Sequence, residues 1–402
     1  MAEKTKFEDL EGLIKGTIKG ELIEQSAKYL LEPGENYGSV MYKVDFKVND
    51  DGKVKEYHAV AKCTPLNKVT QEMFNIQVTF KAEIGWYTTV VPAYQQFQND
   101  QGAKSEINFF QKLYGSRINL QPESDVVDED GVILTENLTC LGYRNVDRHK
   151  GFDLNATYSV LRDLAAFHAI PLAIRLKDGN LFEKKVAPYF SNFVMDPKLW
   201  TDVAKMVLDI IDEIPSCLYL KERIRQNVEN AKPYEPHYSG DGVWKTVIHN
   251  DFWSNNVMVT DDEDPKTIIL DLQVPNMGNP AMDVIFFLLT SVSLDVITDR
   301  LEHFIHHYYV TFIAKLTELG VSTDKYKYVD FLNEIDRNAT KWEFMHALCH
   351  TQIIMNDKGE SDFDSRDVDF KMEDIDFQVK LTDRHKIKFE SIILEAAKRH
   401  WI

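Results

Sequence analysis

The stretch from Val247 to Gln273 constrains this chain more than any other. Two β-branched, apolar runs, Val257-Met258-Val259-Thr260 and Thr267-Ile268-Ile269-Leu270, flank the acidic turn Asp261-Asp262-Glu263-Asp264-Pro265-Lys266. Such runs around a proline-containing turn predict a β-hairpin. Pairing Thr260 with Thr267 sets Asn256 across from Asp271, so an amide and a carboxylate meet at the open end. Asp251 lies on the loop just before the hairpin. A lone Asp here would read as a buried polar turn, but three oxygen-bearing side chains at this spacing read differently.

A carboxylate, an amide oxygen and a second carboxylate form a hard-oxygen set. Mg²⁺ favours such ligands and keeps its remaining positions for water and phosphate. Phosphoryl transfer asks a protein for metal ligands, a base beside the acceptor hydroxyl and a cradle for the nucleotide. The spacing His249-x-Asp251-x₄-Asn256, followed by Asp271, matches a kinase catalytic loop. Asp251 is the expected base, Asn256 and Asp271 the expected metal ligands, and His249 the residue that orients the loop.

Bulk composition narrows the partners. With 402 residues, two or three domains or lobes are expected, and 44% hydrophobic content supplies a sizeable core. A net charge of −18 disfavours nucleic acid and anionic membrane surfaces, which both select basic faces. Any nucleotide site must therefore be offset locally by lysine and metal. Four cysteines (Cys63, Cys140, Cys217, Cys349) lie far apart, as reduced cytosolic thiols do. The N-terminus lacks the apolar core of a signal peptide, and the longest apolar run, Val284 to Leu289, is too short to span a bilayer. The expectation is a cytoplasmic protein with no obligate protein partner.

Along the chain, residues 1 to about 31 predict a helix, from the period of Leu10, Leu13, Ile14, Ile18, Leu22 and Ile23. A turn-rich loop follows, with Gly34, Asn36, Gly38 and Ser39, whose backbone N–H groups are candidates for phosphate contact. Two glycines alone are weak evidence, since most such loops are only turns. Residues 40–46 and 56–63 predict strands joined by the turn Asn49-Asp50-Asp51-Gly52. Lys62 is deep in the second strand, where a lysine is costly unless paired, and Glu83 on a following helix is the expected partner. The bland alternative is an edge-strand lysine. Residues 108–114 look helical. Residues 131–138 predict a buried strand running into an irregular segment, with Glu136 and Leu138 as candidate backbone contacts to an adenine.

Further on, Asp153 starts a helix that carries His168 on its apolar face, read as a satisfied core histidine. Residues 175–240 predict helices with a turn at 232–238. Asp283 has two readings, cap of the helix that follows or brace accepting backbone hydrogen bonds from the catalytic loop. His303, His306 and His307 read as helical surface histidines. His346 and His350 have the spacing of a zinc helix but lack the intervening Glu and a third ligand. Residues 357–376 read as a charged, solvated insert, and the basic C-terminal segment from Arg384 as an amphipathic packing helix.

Taken together, these pieces resemble the ecdysteroid kinase-like family of insects, relatives of choline kinases and aminoglycoside phosphotransferases. The matching motifs are Gly34-Glu35-Asn36-Tyr37, Lys62, Glu83 with Tyr87 and Pro92, Leu134 to Leu138 and Leu164 to Ala169. His249 to Asn256, Asp271-Leu272-Gln273 and Asp283 to Ser291 complete the set, in order, over nearly the whole chain. One departure is Asn250, where the family usually has Gly. If the position needs positive φ, Asn tolerates it better than most residues.

The resemblance implies an α+β, bilobal protein-kinase-like fold. A small β-rich lobe over 1–138 would hold the N-terminal helix and the nucleotide-binding sheet. A large, mostly helical lobe over 139–402 would hold the hairpin 247–273 and the substrate-binding region. It implies an ATP- and Mg²⁺-dependent kinase acting on a hydroxyl of a small molecule, an ecdysteroid first. A choline- or ethanolamine-type acceptor, a foreign compound and a catalytically silent binding protein are the alternatives.

Overall fold

The structure is a computed structural model that describes residues 7–31, 38–121, 123–191, 197–230, 242–357, 366–367, 371 and 381–402. The chain divides into two compact units. The first comprises Met1–Thr89, Phe110–Tyr143 and Asp357–Asp376, and the second Val90–Phe109, Arg144–Asn356 and Phe377–Ile402.

The first unit is organised by one antiparallel sheet of five strands: β1 (Glu21–Tyr29), β2 (Val40–Asp50), β3 (Lys53–Cys63), β4 (Leu113–Arg117) and β5 (Val132–Glu136). Their order is β1-β2-β3-β5-β4. In β2, Val40, Tyr42, Val44, Phe46 and Val48 are buried and the residues between them are half-buried. That period of two gives the sheet one apolar face, and each such side chain contributes about 1.5–3 kcal/mol on burial. Asp51 and Gly52 join β2 to β3 with φ of 50° and 84°, the left-handed pair that a two-residue hairpin turn requires. Ala59, Ala61 and Cys63 lie in the same core, so Lys62 projects from the opposite face of β3.

Two segments expected to be helical contain strands. Where a helix over residues 1 to 31 is predicted, the described residues from 7 on form a short helix, Leu10–Ile14, followed by strand β1. Gly20 separates them at φ 116°, where a Cβ would come within 2.5 Å of the Asn49 carbonyl oxygen. The apolar period is real in the helix, but Leu22 and Ile23 continue it by coincidence in a largely exposed strand. The helical pattern over 108–114 likewise gives way to β4, because Gly115 lies against the Leu13 carbonyl and the segment pairs with β5.

The second unit is mostly helical. Helix Leu154–Lys177 starts at Asp153, whose side chain accepts the Ala156 N–H at 2.9 Å. Helix Leu301–Glu318 packs along it. Helix Pro280–Ser291 is buried on every side, as expected of an element without a polar face. The remaining strands are short: β6 (Arg144–Asn145), β7 (Thr246–Ile248), β8 (Val257–Val259), β9 (Thr267–Ile269) and β10 (Asn276–Gly278). They form the sheets β6-β8-β9 and β10-β7. Helix Asp383–Lys398 buries Phe389, Ile392, Ile393 and Ala396 and packs on helix Phe344–Met355. No helix among the described residues is long and apolar enough to cross a membrane.

Candidate active site

The loop that follows β7 is held by one carboxylate. Asp283 accepts the backbone N–H of His249 at 2.6 Å and that of Asn250 at 2.9 Å. It does not cap its own helix. That role falls to Asn279, whose side chain accepts the Ala281 N–H at 3.0 Å. Behind Asp283, His168 is fully buried, with Nε2 2.9 Å from Asp283 Oδ2 and Nδ1 2.7 Å from the Tyr308 hydroxyl. Burial pushes the Asp283 carboxyl up, but the hydrogen bonds from His168 and the His249 N–H outweigh it and hold the carboxyl below its usual range. Burial lowers the His168 imidazole, which fits a neutral ring donating from Nε2 and accepting from Tyr308.

Asn250 has φ 68°, so this position does need the left-handed region, and an Asn occupies it where Gly would carry no cost. Its backbone reverses the chain and directs Asp251 back over the hairpin. The Asn256 Nδ2 donates to both the Asp251 carbonyl and Asp251 Oδ2, each at 2.9 Å. With its N–H groups so used, the Asn256 side chain is left its Oδ1 as the acceptor to offer a cation.

The hairpin forms, but its predicted register is one residue out. Val257 pairs with Ile269, Met258 with Ile268 and Val259 with Thr267, so Asn256 lies opposite Leu270, whose N–H it accepts at 2.8 Å. The turn sets this offset, because Thr260 N–H reaches the Lys266 carbonyl and Lys266 N–H reaches Thr260 Oγ1, both at 3.0 Å. Asp271 then sits one residue beyond the pairing, at φ 61°. His249 Nε2 donates to the Leu270 carbonyl at 2.8 Å and steadies this turn. Burial, and then the like charge of Asp271, push the Asp251 carboxyl up to about 6.

Among the described residues no three His, Cys, Asp or Glu side chains gather into a metal cluster. The set here is instead two mutually repelling carboxylates and one amide oxygen. That donor chemistry fits Mg²⁺, which takes hard oxygens, needs few protein ligands and keeps water or phosphate on the rest.

The first unit carries the other predicted residues. Lys62 Nζ lies 2.6 Å from Glu83 Oε2, on helix Ile76–Gly85, and Glu83 is 3% exposed. Gly34 and Asn36 lie outside the described residues. Gly38 packs against Phe74, and Ser39 is buried. At the end of β5, the Glu136 N–H donates to the Lys112 carbonyl, and its own carbonyl accepts Gln111 Nε2. Leu138 opens a 3₁₀ turn, the position at which helical N–H groups lack an internal partner.

Residues 33–321 match the family described as the ecdysteroid kinase-like family. The chain belongs to the ecdysteroid kinase-like family. No curated protein matches the chain significantly. Solved structures similar to this ecdysteroid kinase-like chain include an ethanolamine kinase from Plasmodium vivax, at 11% identity and TM-score 0.42, covering 94% of this chain and 84% of that one. The choline kinase LicA from Streptococcus pneumoniae is 12% identical, with TM-score 0.38 and 94% of both chains covered. An aminoglycoside phosphotransferase from Streptomyces rimosus is 14% identical, with TM-score 0.33, covering 76% of this chain and 92% of that one. Membership puts this chain among small-molecule kinases with an α+β, kinase-like fold.

The ecdysteroid kinase-like chain also holds residues near Asp251 that sequence reasoning missed. His346 stacks on Phe286, with centroids 4.0 Å apart, and on Trp342 at 5.4 Å. Its Nδ1 lies 3.1 Å from Glu343 Oε2, a carboxyl that burial pushes up. His346 is among the groups that oppose the rise of the Asp251 carboxyl. Spacing alone offered His346 and His350 only as zinc ligands. The better signal is Glu343 and His346 at i and i+3 beside an aromatic pair.

Proposed function

We propose that this chain is an ATP-dependent, Mg²⁺-requiring kinase that phosphorylates a hydroxyl of a small lipophilic alcohol, with an ecdysteroid as the leading acceptor. The observation that carries this reading is the Asp251–Asn256–Asp271 arrangement. The amide N–H groups of Asn256 orient the base, and its oxygen is kept for the cation. Bound Mg²⁺ supplies charge neutralisation on the transferring phosphates. Asn256 and Asp271 are the residues assigned to hold it. Asp251 accepts the hydrogen bond of the acceptor hydroxyl and takes its proton as the new O–P bond forms and the bond from the γ-phosphorus to the bridging oxygen breaks, releasing ADP. His249 and Asp283 fix the loop and touch no reacting atom. Lys62, positioned by Glu83, is assigned to the α- and β-phosphates, the Gly34–Ser39 loop to the phosphates, and the backbone at Leu138 to adenine, since the N–H and carbonyl of Glu136 are already bonded to Lys112 and Gln111.

The second reading is a cationic amino alcohol as acceptor. The buried Glu343 carboxyl beside Trp342, His346 and Phe286 favours it, because an acid and aromatic faces attract an ammonium group.

Purified protein incubated with Mg-ATP and a mixed panel of steroids and amino alcohols, read by mass spectrometry, tests both. A steroid that gains one phosphate supports the first, and an amino alcohol that does so supports the second. The Asp251→Asn variant should lose at least ~10²-fold in turnover while still binding ATP. Equal turnover in that variant removes Asp251 from the mechanism.

A further inference from the structure

A cavity of about 80 Å³ in the second unit lies between residues 148–151, the end of helix Pro280–Ser291 with the residues after it, and the first turns of helix Asp383–Lys398. A water needs roughly 10–15 Å³ of such space, so one tetrahedral oxyanion fits. The ionisable residues lining it are Arg148, His149, Lys150, Arg384 and Lys388, with no Asp or Glu among the described lining residues. In a chain of net charge −18, a cavity whose ionisable lining, among the described residues, is basic throughout runs against composition.

Lys388 is the telling residue. It is 5% exposed, and its ammonium group reaches the Val292 carbonyl only at 3.5 Å. Three N–H donors therefore share one long hydrogen bond in a buried place, a costly state unless a negative group shares the cavity. Burial alone pushes the ammonium down to about 7. Arg384, one turn earlier on the same helix, has its Nη1 2.5 Å from His149 Nδ1. The other wall is built to hold its shape. Arg148 Nη2 and His149 Nε2 both bond the Asn356 carbonyl, at 2.7 and 2.9 Å. Gly151, at φ 80°, lies so close to the Ser291 carbonyl that a Cβ would come within 2.6 Å of it. The N-terminal end of a 16-residue helix adds partial positive charge at the rim.

We propose that this cavity is an oxyanion site taking one phosphate-sized group, held by Lys388 and Arg148 with Lys150 at the rim. It does not rest on the kinase reading. An anion there lies close to the catalytic turn. The Thr290 hydroxyl, on the cavity wall, is 3.0 Å from Ser291 Oγ, which accepts the Ser254 N–H at 2.9 Å.

The test is calorimetric titration of the full chain with inorganic phosphate at constant ionic strength, in the wild type, Lys388→Met, Arg148→Gln and Lys62→Met. The expected result is saturable binding in the wild type, weakened by roughly tenfold or more in Lys388→Met and Arg148→Gln, and unchanged in Lys62→Met. That last arm separates this cavity from any phosphate taken near Lys62. Lys388→Met keeps the apolar stem, and Arg148→Gln decides the question should Lys388→Met fail to fold. No binding to the wild type overturns the proposal. So does binding lost in Lys62→Met but retained in Arg148→Gln.

Discussion

Asp283 and His249 are joined by a hydrogen bond that anchors the loop carrying Asp251, the His249 N–H donating to Asp283 Oδ2 at 2.6 Å. The same oxygen lies 2.9 Å from His168 Nε2. Removing the carboxylate strands two buried donors and the part-buried Asn250 N–H at once. Asp283→Ala is expected to lose about 3–5 kcal/mol of stability, read from the denaturant midpoint, and to lower turnover further by releasing the loop. An unchanged midpoint would mean that the loop is held by other contacts.

Asn250 occupies the left-handed region at φ 68°, where a non-glycine residue carries a cost of about 1–2 kcal/mol. Asn250→Gly should keep turnover and shift stability by less than about 1 kcal/mol, since relief of strain offsets the added freedom of the unfolded chain. Asn250→Val should lose both stability and turnover, because a β-branched residue resists that φ. Thermal unfolding and a single-acceptor rate measurement distinguish the pair.

Glu318 ties down the segment after helix Val91–Asp100. It accepts the Lys104 and Ser105 N–H groups at 2.9 and 3.0 Å, the Ser105 hydroxyl at 2.6 Å and Lys315 Nζ at 2.9 Å. Burial opposes its charge, but these partners hold the carboxyl down at about 2. A carboxyl lower in the folded than in the unfolded chain stabilises above its unfolded value. That contribution is lost as pH falls toward its folded value. The window here runs from about pH 4.5 to 2, and after solvent screening the contribution is about 2 kcal/mol. Glu318→Gln should flatten the acid side of the stability–pH curve in that window. An identical acid limb in the variant would rule the contribution out.

Lys62 and Glu83 make a test of role against stability. Lys62→Met removes the 2.6 Å ion pair of the buried Glu83 carboxyl and should cost about 3 kcal/mol of stability, read from the unfolding midpoint. It should also weaken ATP binding by tenfold or more if the nucleotide assignment holds. Lys62→Met combined with Glu83→Leu should recover much of the stability but none of the ATP binding. Recovery of both would make the pair purely structural.

Several features were legible because they are local. The alternation in β2, the Asp51-Gly52 turn and the Asp153 cap each follow from a few adjacent residues. The brace role of Asp283 and the buried, bonded state of His168 were also among the readings open to the sequence. What failed depended on distant partners. The helical period at Leu22 and Ile23 yielded to strand pairing with β2. The hairpin register slipped by one because the Thr260 hydroxyl closes the turn on Lys266, a bond that apolar pattern does not encode. His346 was read only through its spacing to His350, because its stacking on Phe286 is a contact 60 residues away in sequence.

By itself, the order of residues determined which groups are present to do chemistry, at what spacing, and on which kind of local element. Turn and capping preferences act over a few residues, so that much can be read without coordinates. Only the tertiary structure decided that Asn256 turns its N–H groups to Asp251 and that Asp271 follows a left-handed turn. It alone brought Lys388 into a cavity with Arg148. Orientation and burial arise from packing between segments far apart in the chain, and they set the charge each group carries.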